Sequence, residues 1–380
     1  MSTPRRLGVL ISFSGEGGVE RMVLNLVEAF AARPDLRVDL VMLRENSRHL
    51  ADLPASVNQV RLGVRHSQAS IPAIARYLRA ARPDALLVAK DRAGRAALLA
   101  RALAGMSTPI YIRLGTTLSE AMKGKSALSR WLRYQPMRWL YPKANGVIAV
   151  SNGVAEDTCA ITGLDPARIQ VIRNPVITPS LTARAAASVE HPWFEPGQPP
   201  VVLGMGRLTR QKDFPTLLRA FARVRAELPA RLVILGEGRD REALWRLALE
   251  LGIDADFDLP GFMANPYPWL ARARLFVLSS AWEGSPNALT EAMALGIPSV
   301  STACPSGPDE ILDQGRHGPL VAVGDVQAMA QAMLALLRAP PSPDQLRAAV
   351  AEYNVATSAQ RYLTLMGLAG SPRARADSLE

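Results

Sequence analysis

Twice along this chain, short apolar runs alternate with stretches of helical periodicity, and few folds accommodate that pattern. In the first half, Leu7–Phe13 reads as a buried strand, a Gly-rich turn follows at 14–18, and residues 19–32 place Met22, Val23, Leu26, Val27 and Phe30 on one helical face. Strands at 37–43, 85–89, 109–113 and 146–150 continue the series, with helices at 71–81 and 93–103. A second series begins at Val201–Met205. It runs through helix 215–227, strand 231–235, helix 241–251, strand 275–278, helix 286–295 and strand 298–301, and helices at 326–337 and 357–368 follow. Strands that are apolar throughout and separated by helices predict parallel sheets covered on both faces, an α/β architecture. At 380 residues the chain is long enough for two such domains. The irregular, Pro-rich stretch 175–200 is the expected linker. The expected boundaries are a first domain at 1–178, linker and second domain at 179–356, a C-terminal helix at 357–370 with the option of crossing back to the first domain, and a tail at 371–380.

Composition removes several function classes. An apolar share of 48% with 21% charged residues is globular, not disordered. Cys159 and Cys304 form no CxxC pattern, and His49, His66, His191 and His317 show no ligand spacing, so neither a disulfide scaffold nor a metal or cofactor site is expected. The first apolar run is too short for a signal-peptide core, and no run approaches the roughly 20 residues of a spanning helix. A cytoplasmic protein is expected. The net charge of +10 favours anionic partners. Part of it lies in 121–143, where Lys123, Lys125, Arg130, Arg133, Arg138 and Lys143 meet no acidic residue and are interleaved with Trp131, Tyr134, Trp139 and Tyr141. Such a segment fits a helix lying on an anionic membrane surface at the inner face of the cytoplasmic membrane. It fits equally a helix whose stripe of Leu128, Trp131 and Leu132 packs on its own domain. Pro136 is expected to end or kink that helix. No nucleic-acid module frames the patch, so nucleic acid is not an expected partner, and no residue pattern sets an oligomeric state.

The stretch Ser279–Gly296 is the most informative for chemistry. It follows a strand, Ser285 reads as the N-cap of a helix with Pro286 at its first position, and Gly296 reads as the stop. The amides of Asn287 and Ala288 then form a natural anion site, flanked by Glu283 in the loop and Glu291 on the helix. Carboxylates suit the hydroxyl pairs of sugars and riboses, although either glutamate alone reads as well as a solvated side chain. The whole string, with Gly284-Ser285-Pro286 after the first Glu and Ala292-Met293-Ala294 after the second, resembles the signature of retaining glycosyltransferases of family 4. Leu203–Phe214 is similar to that family's segment with an Arg and a Lys, here Arg207 and Lys212. Ser14–Glu20 resembles its N-terminal Gly-Gly loop. Val147–Gly153, Val171–Val176, Leu235–Gly238 and Pro260–Phe262 resemble further segments. So does Cys304–Ile311, where Ser306 and Asp309 are also spaced as a capping box.

The resemblance implies the GT-B fold, two Rossmann-like domains facing each other across a cleft, the first binding the acceptor and the second the nucleotide-sugar donor, and retaining, metal-independent transfer from a nucleotide-diphosphate sugar, with UDP as the family's usual nucleotide. It implies that Arg207 and Lys212 grip the diphosphate, Glu291 binds the ribose and Glu283 the transferred sugar, so that Glu283, Arg207 and Lys212 form the catalytic set. Gly17, Gly18, Gly261, Phe262, Gly284, Ser285, Asn287, Ala288 and Leu289 complete the implied donor site. The implied acceptor is a glycan or lipid-linked saccharide of bacterial surface polysaccharide or lipopolysaccharide. Many members carry a His after a central strand of the first domain; here that stretch reads Ile110–Thr117, and Arg113 or Thr116 is the candidate replacement near the sugar. Other readings of the same architecture are a nucleotide-sugar epimerase, a phosphorylase, or a non-catalytic two-lobed sugar-binding protein. The loop at 15–20 lacks the third Gly of a dinucleotide fingerprint, and Gly124-Lys125-Ser126 lacks the first Gly of a phosphate loop, where Ser119 stands.

Overall fold

The computed structural model describes residues 4–14, 18–46, 50, 53–64 and 70–370. The chain forms two compact units. One comprises 1–114, 136–148 and 355–380, the other 115–135 and 149–354.

The first sheet contains β1 (Arg5–Ser14), β2 (Leu36–Asn46), β3 (Asn58–Arg61), β4 (Ala85–Ala89), β5 (Ile110–Leu114), β6 (Gly146–Ala149) and β7 (Ile169–Val171) in the order β3-β2-β1-β4-β5-β6-β7. β1 pairs in parallel with β2 and β4, β2 with β3, and β4 with β5. β4 is buried along its whole length, as a strand with helices on both faces must be. The helix Gly18–Ala31 buries Met22, Val23, Leu26, Val27 and Phe30, the face expected from periodicity. The helix Val355–Leu365 packs against it within the same unit, and Arg5 of β1 donates to the carbonyls of Gly367 and Leu368 at 2.8 and 2.7 Å.

The second sheet contains β8 (Val201–Met205), β9 (Arg231–Leu235), β10 (Phe257–Gly261), β11 (Leu275–Leu278), β12 (Ser299–Thr302) and β13 (Leu320–Val321) in the order β10-β9-β8-β11-β12-β13, with its registered pairs parallel. The helices Phe214–Glu227 and Val326–Arg338 pack together on it, contributing Leu217, Phe221, Met329 and Met333 to a fully buried core.

Two local expectations are corrected and one, for Pro136, is narrowed. The helix expected from Pro286 starts at Asn287, with Pro286 itself as N-cap, because Pro286 takes an extended ψ of 101° while its carbonyl already accepts from the amides of Leu289 and Thr290. Pro136 does not end its helix, which runs Ala127–Leu140 through it. The carbonyl that loses its partner there belongs to Leu132, which is exposed, so water can satisfy it. Ser306 caps no helix. Gly307 precedes Pro308–Ile311, and the Ser306 hydroxyl instead meets the Gly284 carbonyl at 3.1 Å and the Ser151 hydroxyl at 2.6 Å.

Candidate functional site

In the second sheet β8 and β11 are adjacent, yet the chain leaves β8 toward β9 and β11 toward β12, in opposite directions. The loops after these strands therefore diverge and open a crevice at their carboxyl ends, the place where open α/β sheets bind ligands. Gly206, Arg207 and Lys212 follow β8; Ser279–Glu283 follow β11.

Lys212 and Glu283, 71 residues apart, meet there. Lys212 Nζ donates to Glu283 Oε1 at 2.6 Å, and both side chains are largely buried. Ser280 Oγ donates to the same oxygen at 2.6 Å, and the Ser280 carbonyl is held by Thr302 Oγ1 at 2.5 Å. Oε1 is thus committed twice, whereas Oε2 takes no hydrogen bond among the described residues. Backbone contacts lock the two loops together. Ser279 Oγ donates to the Lys212 carbonyl at 2.8 Å, and Gln211 exchanges bonds with the Ala281 amide and the Trp282 carbonyl. Gly206 makes room for the lysine: a Cβ there would lie 2.8 Å from Lys212 Cε.

The segment 115–117 reaches the same loop within this unit. Thr117 Oγ1 donates to the Glu283 carbonyl at 2.9 Å, and a Cβ on Gly284 would lie 2.3 Å from the Gly115 carbonyl oxygen, so only glycine allows this approach. Thr116 is exposed beside Gly284. Arg113 is placed differently. It is 1% exposed at the end of β5 in the first unit, beside Tyr362, whose hydroxyl burial holds protonated against the opposing pull of the arginine.

Arg207 is exposed at the end of β8, and its guanidinium has no partner among the described residues. Glu291 is buried on the helix Asn287–Ala294, with Tyr267 Oη 3.4 Å from its Oε1. Asn174 Nδ2 donates to Asn287 Oδ1 at 2.8 Å and fixes the start of that helix. Ser285, Ala288 and Phe262 are half-buried, Gly284 and Leu289 are buried, and Gly261 ends β10, its carbonyl accepting from the Gly236 amide at 2.8 Å. Gly18 begins the first helix of the first unit; Gly17 lies outside the described residues. The structure therefore brings Lys212, Glu283, Gly284 and Thr116 together within the second unit, while Arg113 belongs to the first.

Cys304 lies within reach of the pair. Burial first, and the charge of Glu283 second, push its thiol up to about 12, so at neutral pH it is a neutral core group and no nucleophile. Among the described residues no group of three or more His, Cys, Asp or Glu is placed to hold a metal ion.

Sequence reasoning passed over a second constellation. β1 and β4 are adjacent in the first sheet, with β2 on the far side of β1 and β5 on the far side of β4, which makes their carboxyl ends the corresponding crevice of that unit. Lys90, directly after β4, has φ 75° and ψ 139°, a conformation close to glycine's alone and worth about 1–3 kcal/mol of strain. Its Nζ donates to the Ser12 carbonyl at 2.8 Å and to Glu20 Oε1 at 3.2 Å, and Glu20 is 2% exposed. The available signal was positional, since Lys90 is the first charged residue beyond an all-apolar strand.

Comparison with known proteins covers both halves of the chain. A family described as Glycosyltransferase Family 4 matches residues 16–178, and one described as Glycosyl transferases group 1 matches residues 199–339. A Campylobacter jejuni protein, N-acetylgalactosamine-N,N'-diacetylbacillosaminyl-diphospho-undecaprenol 4-alpha-N-acetylgalactosaminyltransferase, is 28% identical over 91% of this chain and 92% of its own. The lipopolysaccharide core biosynthesis glycosyltransferase LpsE of Rhizobium meliloti is 27% identical over 84% of this chain and 86% of its own. The solved structure of Anabaena HepE in complex with UDP superposes with a TM-score of 0.72 at 18% identity, covering 96% of this chain and 99% of that one.

Proposed function

The chain belongs to glycosyltransferase family 4 and has the GT-B fold, and from that premise we propose that it is a retaining, metal-independent transferase. It would move a hexosyl or N-acetylhexosaminyl group from a nucleotide-diphosphate sugar to a saccharide acceptor. The observation that carries this reading is the Lys212–Glu283 pair, in which one carboxylate oxygen is pinned by a cation and a serine while the other is presented. A carboxylate held this way is oriented before substrate arrives, and its second oxygen accepts a hydroxyl of the transferred sugar. Lys212 has two further N–H donors for the diphosphate, and Arg207 adds a fork that matches phosphate oxygens. Together they neutralise the negative charge that grows on the leaving group, which is the role a metal ion plays elsewhere. Glu291, deeper on the next helix, is assigned the ribose hydroxyls.

In the proposed reaction the bond from the anomeric carbon to the donor phosphate oxygen breaks with its electron pair leaving on phosphate. The acceptor hydroxyl oxygen bonds to the same face of that carbon, and its proton passes to the departing phosphate oxygen. Configuration is retained and no protein nucleophile is required. The first-unit pair Lys90–Glu20 is assigned to the acceptor side.

UDP is the proposed nucleotide because HepE, of the same fold, is described in complex with UDP. The proposed acceptor is a lipid-linked saccharide of bacterial surface polysaccharide. The Campylobacter relative is named for an undecaprenyl-diphosphate-linked acceptor and the Rhizobium relative for lipopolysaccharide core biosynthesis. A panel of UDP- and other nucleotide sugars tests the reading by thermal shift and, with lipid-linked oligosaccharide acceptors, by product analysis. An α-donor yielding an α-linked product supports it. An inverted product, or epimerised sugar formed without acceptor, refutes it.

A further inference from the structure

The helix Ala127–Leu140 is turned inside out. At about 100° per residue, Leu128, Trp131, Leu132 and Trp139 fall within one arc of about 100°. These side chains are 65, 56, 58 and 79% exposed. They are four of the eight large hydrophobic residues that stand exposed among the described residues, gathered on one face of one helix. The buried residue of the helix, Met137, lies on the opposite side of the wheel, so the apolar stripe faces away from the helix's packed side. Amphipathic helices of a folded domain bury that stripe, and this one presents it.

We propose that this helix docks on an anionic lipid bilayer, lying in the interface with its Trp and Leu stripe among the headgroups. The surrounding charge selects the occupant. Arg138 borders the stripe on the wheel, Lys125 and Arg130 are exposed around the start of the helix, and no acidic residue occurs from 121 to 143. Lys123 is paired with Glu120 at 2.6 Å and is left out of this set. Exposed tryptophans flanked by cations match the amphipathic and electrostatic character of a headgroup layer. A second copy of the chain laid stripe to stripe would bring the same cations against their own images, which opposes that alternative.

The test is vesicle flotation of the full chain without donor or acceptor, so it does not depend on the reaction proposed above. Vesicles of phosphatidylcholine alone are compared with vesicles containing one-third phosphatidylglycerol. Wild type is expected to float with the anionic vesicles, to float poorly with the neutral ones, and to be released by 1 M salt. Trp131→Ala with Trp139→Ala, and separately Lys125→Glu with Arg130→Glu, should each lower partitioning by about tenfold or more while leaving thermal unfolding unchanged, since all four residues are exposed. Failure to float, equal binding to neutral vesicles, or variants that bind as wild type would each overturn the proposal. So would a concentration-dependent dimer in sedimentation, abolished by the tryptophan variant, in a protein that ignores vesicles.

Discussion

Glu283→Gln separates grip on the sugar from grip on the nucleotide. Glutamine keeps the size of the side chain and can keep its carbonyl oxygen against Lys212 and Ser280, where Oε1 now accepts two bonds at 2.6 Å. The amide nitrogen then replaces Oε2, and an acceptor becomes a donor at the point presented to substrate. A hydrogen bond to a charged group contributes about 1.5–3 kcal/mol, and tenfold in rate corresponds to about 1.4 kcal/mol, so kcat/KM should fall about 10- to 150-fold. UDP carries no transferred sugar and should bind within about twofold of wild type, because the proposal assigns its phosphates to Lys212 and Arg207, which the change leaves in place. Initial-rate kinetics with the identified donor and calorimetric titration of UDP measure the two quantities on one preparation. Wild-type turnover would sink the assigned role. A loss of UDP affinity as large as the loss of kcat/KM would mean that Glu283 acts on the nucleotide side or through structure alone.

Three other outcomes follow from the same geometry. Lys212→Met strands a largely buried carboxylate and should destabilise the fold by about 3 kcal/mol in urea unfolding, with much of that recovered in the Lys212→Met, Glu283→Gln double variant; additive losses would contradict the pairing. Lys90→Met removes the cation hydrogen-bonded to the Glu20 carboxylate, 2% exposed, and should cost about 2–3 kcal/mol while weakening acceptor use with UDP affinity unchanged, whereas a loss confined to UDP binding would remove Lys90 from the acceptor side. For Cys304 the folded thiol is raised from 9.0 to about 12, so its contribution is fully present below pH 9 and is lost as pH rises toward 12. Unfolding free energy of wild type relative to Cys304→Ala should therefore fall by about 1.4 kcal/mol per pH unit above pH 9, and parallel pH profiles would contradict the burial argument.

The amino-acid order alone determined the interior of both sheets. β4, β8, β9 and β11 lie where their apolar runs place them, because a strand covered on both faces must be apolar along its buried length, and that leaves a continuous signal. The strands that escaped sequence reading, β3, β7, β10 and β13, are the four edges of the two sheets. β3 is largely exposed and β13 is two residues long, so periodicity has little to register there. Lys212, Glu283 and their neighbouring glycines were legible as motifs. Tertiary structure decided what motifs cannot carry: that Lys212 and Ser280 converge on one oxygen of Glu283, and that Lys90 adopts a backbone conformation no local preference would choose. It also decided which way the stripe of Ala127–Leu140 faces. The residues on that stripe could be read from helical spacing, but its direction depends on what the rest of the chain packs against the other side.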